Sequence, residues 1–150
     1  MKDLKQKITK VQPIVRARKA QLDTESVTLS QIRIQKAERL DELEATQKAY
    51  IECVDELNRQ RQLNVNETLQ VFEQGLDFVK QKWYEALKSV REAEAREQAQ
   101  LANVLVAQRN LKAVQVLEEK YDEQYRDAMN KAEQKQLDET AARMKSQKGR

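Results

Sequence analysis

Residues 58–68 read NRQRQLNVNET, and this polar stretch decides the fold because the apolar pattern on one side of it does not join the pattern on the other. Before it, stepping by seven from Ile8 meets Val15, Leu22, Leu29, Lys36, Leu43, Tyr50 and Leu57. Only Lys36 interrupts the apolar or aromatic character of that series, which is the heptad stripe of a paired helix. Its companion positions are weaker: Val11, Arg18, Glu25, Ile32, Arg39, Thr46 and Cys53. After the stretch a second register runs Leu69, Leu76, Trp83, Val90, Glu97, Val104, Leu111, Glu118, Tyr125 and Ala132. Its companions are Phe72, Val79, Ala86, Ala93, Gln100, Ala107, Val114, Tyr121 and Ala128, with Leu101, Leu105 and Leu117 expected to widen the seam.

Two stripes out of phase across a polar break predict an all-α fold, a long antiparallel two-helix coiled-coil hairpin with unequal arms. The whole chain, 1–150, reads as one such hairpin, with arm one at about 3–60, the turn at about 60–66 and arm two at about 65–145. Asn64 followed by Glu67 is an asparagine version of the capping box, in which each side chain accepts from the other residue's backbone N–H at a helix start. Gly75 is the rival turn, but Phe72, Leu76 and Val79 continue through it at helical spacing, and one glycine costs a helix only about 1 kcal/mol. Pro13 lacks an N–H and would clash inside a helix. A kink is therefore expected near 13, with the residues before it bent away or forming a separate short helix. Residues whose numbers sum to about 128–130 should face each other, pairing Leu57 with Phe72 and Ile8 with Tyr121, and leaving the last 20 or so residues as an overhang.

Composition agrees. Charged residues make up 35% of the 150, aromatics 5%, and there are two glycines and one proline, too few turn formers for a many-element domain. The net charge of +3 is unevenly spread. Residues 1–20 hold seven Lys/Arg against Asp3, residues 141–150 carry +4, and residues 21–60 total −4. Two basic ends suit an acidic partner surface. No apolar run approaches the length of a membrane span, and the N-terminus has no apolar core of a secretory signal. The single Cys53 cannot pair within the chain, fits a reducing compartment, and reads as a small buried hydrophobe.

Reactive groups are scarce. With no histidine the chain lacks the commonest general base and metal ligand, and one cysteine cannot complete a zinc site. No glycine-rich loop could cradle a nucleotide's phosphates. Acidic neighbours such as Glu118–Glu119 and Asp138–Glu139 diverge on a helix. No enzyme, no cofactor and no metal are expected. Nucleic acid is not an expected partner, because basic residues of the arms alternate with acids and Trp83, Tyr50, Tyr121 and Tyr125 lie on the seam rather than on a stacking face.

The arms also carry wording. FEQGLDFV, residues 72–79, places Phe72, Leu76 and Val79 just beyond the turn in a pattern that resembles the Phe-x3-Leu-x2-Ala of flagellar export proteins. The run LKAVQVLEEKYDEQYRDAMNKAEQKQLDETAARMK, residues 111–145, closes on KQLDETAARM and resembles the C-terminal end of the same proteins. By these features and its two-armed plan the chain resembles the FliJ/YscO family of type III secretion. The resemblance implies a cytoplasmic stalk at the inner face of the inner membrane, similar to the coiled coil at the centre of rotary ATPases. Its implied partners are the hexameric secretion ATPase, the cytoplasmic domain of the export gate, and export chaperones. The gate would be met by Phe72, Leu76 and Val79, the last standing where the family has Ala, and by Phe78, which falls off the seam and is expected to be exposed. The same three seam positions could equally serve only to pair the arms. The ATPase ring would be met by the basic ends: Lys5, Lys7, Lys10, Arg16, Arg18, Arg143 and Lys145. Two other roles stay open, an escort that binds and recycles export chaperones and a structural coiled coil that oligomerises through its overhang.

Overall fold

The computed structural model describes residues 2–63 and 66–148, and the side chains of these except 66–68. Two α-helices account for almost all of them: α1, Lys2–Gln62, and α2, Asn66–Lys148. No strand occurs among the described residues. The helices pack against each other antiparallel, so the chain is an all-α coiled-coil hairpin. At the end of α1 the Leu63 N–H still donates to the Arg59 carbonyl at 3.2 Å, which closes the last turn. The capping pair expected of Asn64 and Glu67, and the expected start of arm two at Val65, lie outside the described residues. Gly75 sits within α2, and a methyl group placed on it would meet no atom within 4 Å.

Pro13 lies inside α1, which continues on its N-terminal side back to Lys2, so the residues before it do not form a separate short helix. Proline leaves the carbonyl four residues earlier, that of Thr9, without its usual donor. The site is exposed, so water can reach that carbonyl. Val11 and Val15, immediately to either side, are buried, and Ile8 and Leu4 are half-buried. This apolar row holds the first three turns in place despite the lost hydrogen bond.

By spatial proximity the chain divides into two compact units, each built from both helices. The first comprises residues 1–24 and 105–150, the second residues 25–104. In the second, Leu29, Leu57, Ala86, Val90 and Ala93 are buried, and Tyr50 stacks on Trp83 with ring centroids 5.1 Å apart. The heptad interruptions of this unit meet one another. The Lys36 ammonium lies 3.3 Å from a Glu97 carboxylate oxygen, and Arg39 donates to the hydroxyl and carbonyl oxygens of Ser89. The amide of Gln100, the only buried polar residue among those described, donates to the Glu25 carbonyl at 2.9 Å and also to the Glu25 carboxylate. Its own carbonyl oxygen accepts from Asn103 at 3.2 Å. A layer of this kind adds little net stability but is satisfied in only one register.

In the first unit, Val11, Val15 and Ala107 are buried, and Leu111, Val114, Tyr121 and Tyr125 are half-buried. Arg18, at a companion position of the α1 stripe, is exposed instead. Leu105 and Leu117 do not widen the seam but face solvent, as does Leu101 in the other unit. Two helices cover only a narrow strip of each other, and residues flanking that strip need a third element to be buried. Beyond Ala132 every described residue of α2 is exposed.

Candidate functional site

Among the described residues no group of three or more His, Cys, Asp or Glu side chains is placed to hold a metal ion. Cys53 is a free thiol, half-buried on the seam side of α1. No helix of the described residues is long and apolar enough to cross a membrane. What remains is two surfaces, one in each unit.

The first lies in the unit of residues 25–104, on the turns of α2 that follow its start. Phe72, Leu76 and Val79 are half-buried, because they occupy the inward heptad positions and share their surface between the seam and solvent. Phe78 is 62% exposed and points off the seam. The Lys82 ammonium sits 5.5 Å from the Phe78 ring centroid, a cation–π contact at the surface. Phe78 and Val79 form one wall of an open groove of about 370 Å³, and Ala45, Thr46 and Ala49 of α1 form its floor. Glu42 and Lys82 stand at its rims. The alanines escaped the sequence reading, although their spacing of four residues on one helix face was the available signal. Beside the groove, Trp83 stacks between Tyr50 and the exposed Tyr84, and Lys80 lies 5.9 Å from the Tyr84 ring. Phe78 and Tyr84 thus leave aromatic surface exposed on an otherwise polar helix pair.

The second surface lies in the unit of residues 1–24 and 105–150. Lys5 and Lys7 are exposed, the ammonium of Lys5 lying 6.0 Å from the Tyr125 ring centroid and that of Lys7 5.7 Å from that of Tyr121. Lys10, Arg16 and Arg18 are exposed. At about 100° per residue, Lys5 and Arg16 fall on one flank of the α1 seam, and Lys7 and Lys10 on the other. The cations therefore straddle the helix pair rather than forming one face. Arg143 and Lys145 are also exposed but do not join this group. Tyr125 marks the level of Lys5, and Arg143 stands roughly 27 Å further along α2 at 1.5 Å per residue. The structure thus brings together Lys5, Lys7 and the two tyrosines, and leaves the C-terminal cations on the overhang.

Comparison with curated proteins and with solved structures finds no match. The family model described as the flagellar FliJ protein matches residues 6–150, which takes in all of α2 and all of α1 but its first residues. This match over nearly the whole length of a two-helix hairpin settles the kinship: the chain belongs to the FliJ family, the stalk proteins of the flagellar/type III export apparatus.

Proposed function

We propose that this protein is a non-enzymatic stalk that links the hexameric secretion ATPase to the export gate and promotes assembly and activity of the ring. The observation that carries the reading is the family match over residues 6–150 on a helix pair whose two units offer different surfaces, one cationic and one aromatic. A shaft must resist bending without locking to a single subunit. Two helices held in register by the Lys36–Glu97 and Gln100–Glu25 contacts supply stiffness, and exposed lysines supply attraction without shape-specific docking. In this reading Lys5, Lys7, Lys10, Arg16, Arg18, Arg143 and Lys145 face acidic loops of the ring, and Phe72, Leu76, Phe78 and Val79 engage the gate's cytoplasmic domain.

The direct test is turnover of the purified secretion ATPase with and without the protein. Stimulation that falls when Lys5, Lys7 and Lys10 are changed together to Gln supports the stalk role. An unchanged rate in both comparisons would remove it and favour an escort of export chaperones. Capture of the gate domain by wild type, but not by Phe72→Ala or Phe78→Ala in a protein of undiminished helicity, supports the second contact.

A further inference from the structure

From Leu105 to Lys120, α2 carries two stripes rather than one. The first, Ala107, Leu111, Val114 and Glu118, is buried or half-buried against α1. The second runs Val106, Arg109, Ala113, Val116 and Lys120 at alternating steps of three and four, the spacing of a coiled-coil seam. At about 100° per residue it lies on the side of the helix turned away from α1. Every member is exposed, Val106 at 52% and Val116 at 56%, and Leu105 at 46% borders it. A helix that is apolar on both sides is normally sandwiched between neighbours. Here only one neighbour is present.

Up to Leu117 the charges around the second stripe have one sign. No Asp or Glu occurs from Gln98 to Leu117, and Arg109, Lys112 and Lys120 stand on or beside the exposed stripe. Glu119 lies at its edge and Glu123 ends it. We infer that this outer face of α2 is a docking seam for an amphipathic helix of a partner protein, with small apolar residues at heptad spacing and Glu or Asp along its flanks. A second copy of the chain fits poorly. Each copy would bring the same three cations to the contact, and a stripe some 24 Å long on one helix buries far less than the roughly 800 Å² per partner of a stable interface. A small contact of that kind suits a partner that binds and leaves, with opposite charge speeding its encounter. A lipid surface fits less well, since the stripe offers valine and alanine but no large aromatic side chain to enter the headgroup layer.

The test uses the full chain and a three-heptad synthetic helix with Leu and Ala on its seam and Glu on its flanks, beside a twin with Lys in place of Glu. The Glu peptide should bind, measured by fluorescence anisotropy, and the Lys twin at least about tenfold more weakly. The double variant V106E/V116E should lose binding to the Glu peptide while keeping its helical circular dichroism. The triple variant R109E/K112E/K120E should reverse the preference in favour of the Lys twin, and it decides the matter if the double variant loses helicity. Equal binding of the two peptides, binding of neither, or a preference that the triple variant leaves unchanged overturns the inference. So does a concentration-dependent dimer in sedimentation that V106E/V116E abolishes, or binding to phosphatidylglycerol vesicles in place of the Glu peptide.

Discussion

At the scale of single residues, the narrow seam makes a few positions matter and most others tolerant. Leu57 is 3% exposed, and its truncation to Ala leaves a gap that two stiff helices cannot close. We expect a loss of about 2–3 kcal/mol, the low end for buried leucine because the surroundings are thin, read from urea denaturation. Gly75 is the opposite case. It adopts helical geometry inside α2 with open space around the position of a Cβ, so its conformational freedom serves no turn or close approach. Gly75→Ala should raise stability by about 0.5–1 kcal/mol in the same measurement, and a fall would show that a close contact forms there. Both residues were legible in the sequence, Leu57 from its heptad position and Gly75 from the apolar spacing that runs through it. The exposure of Phe78 was legible too, but its clasp by Lys82 was not, because that contact depends on rotamers.

At the scale of elements, the polar layer of the second unit is the most informative feature. Lys36 and Glu97 each read as a flaw in a separate stripe, and their meeting turns two flaws into one paired layer. Replacing both by Leu should leave stability unchanged or raise it, because desolvating a half-buried pair offsets most of its attraction. Replacing Lys36 alone should destabilise, leaving Glu97 without its partner. Sedimentation of the double variant should reveal alternative registers or oligomers that the wild-type layer forbids, and a strictly monomeric, better-folded variant would remove the register role. Pro13 makes a related point at the start of α1. Pro13→Ala restores a donor for the Thr9 carbonyl and should stabilise α1 by up to about 3 kcal/mol. Amide exchange at residues 9–15 would show it as increased protection.

At the scale of the whole molecule, the helices differ in how much of their length is used for folding. Residues 133–148 are exposed throughout, and none of them joins the buried seam. A chain ending at Ala132 should therefore melt within a few degrees of the full protein, followed by circular dichroism. If Arg143 and Lys145 serve the ATPase contact, the same truncation should lower stimulation of the ring without altering the fold. Full stimulation by the shortened chain would confine that contact to the N-terminal cations. Stability and partner binding are thus expected to separate along the sequence, as they do when a surface is retained for contact rather than for packing.

The heptad spacing and the polar break at 58–68 by themselves determined two long helices, their antiparallel pairing and the inward-facing residues of α2 down to Ala132. Periodicity reports which side of a helix is apolar, and with few turn formers only a hairpin can use it. Three things waited for the tertiary structure. The helix continues through Pro13 because buried valines on either side outweigh one missing hydrogen bond. Leu105 and Leu117 face solvent because apolar character does not say how many neighbours exist to cover it. The polar residues at 25, 36, 97 and 100 became two cross-helix pairs only when antiparallel packing set them side by side, since each needs a partner more than fifty residues away along the chain.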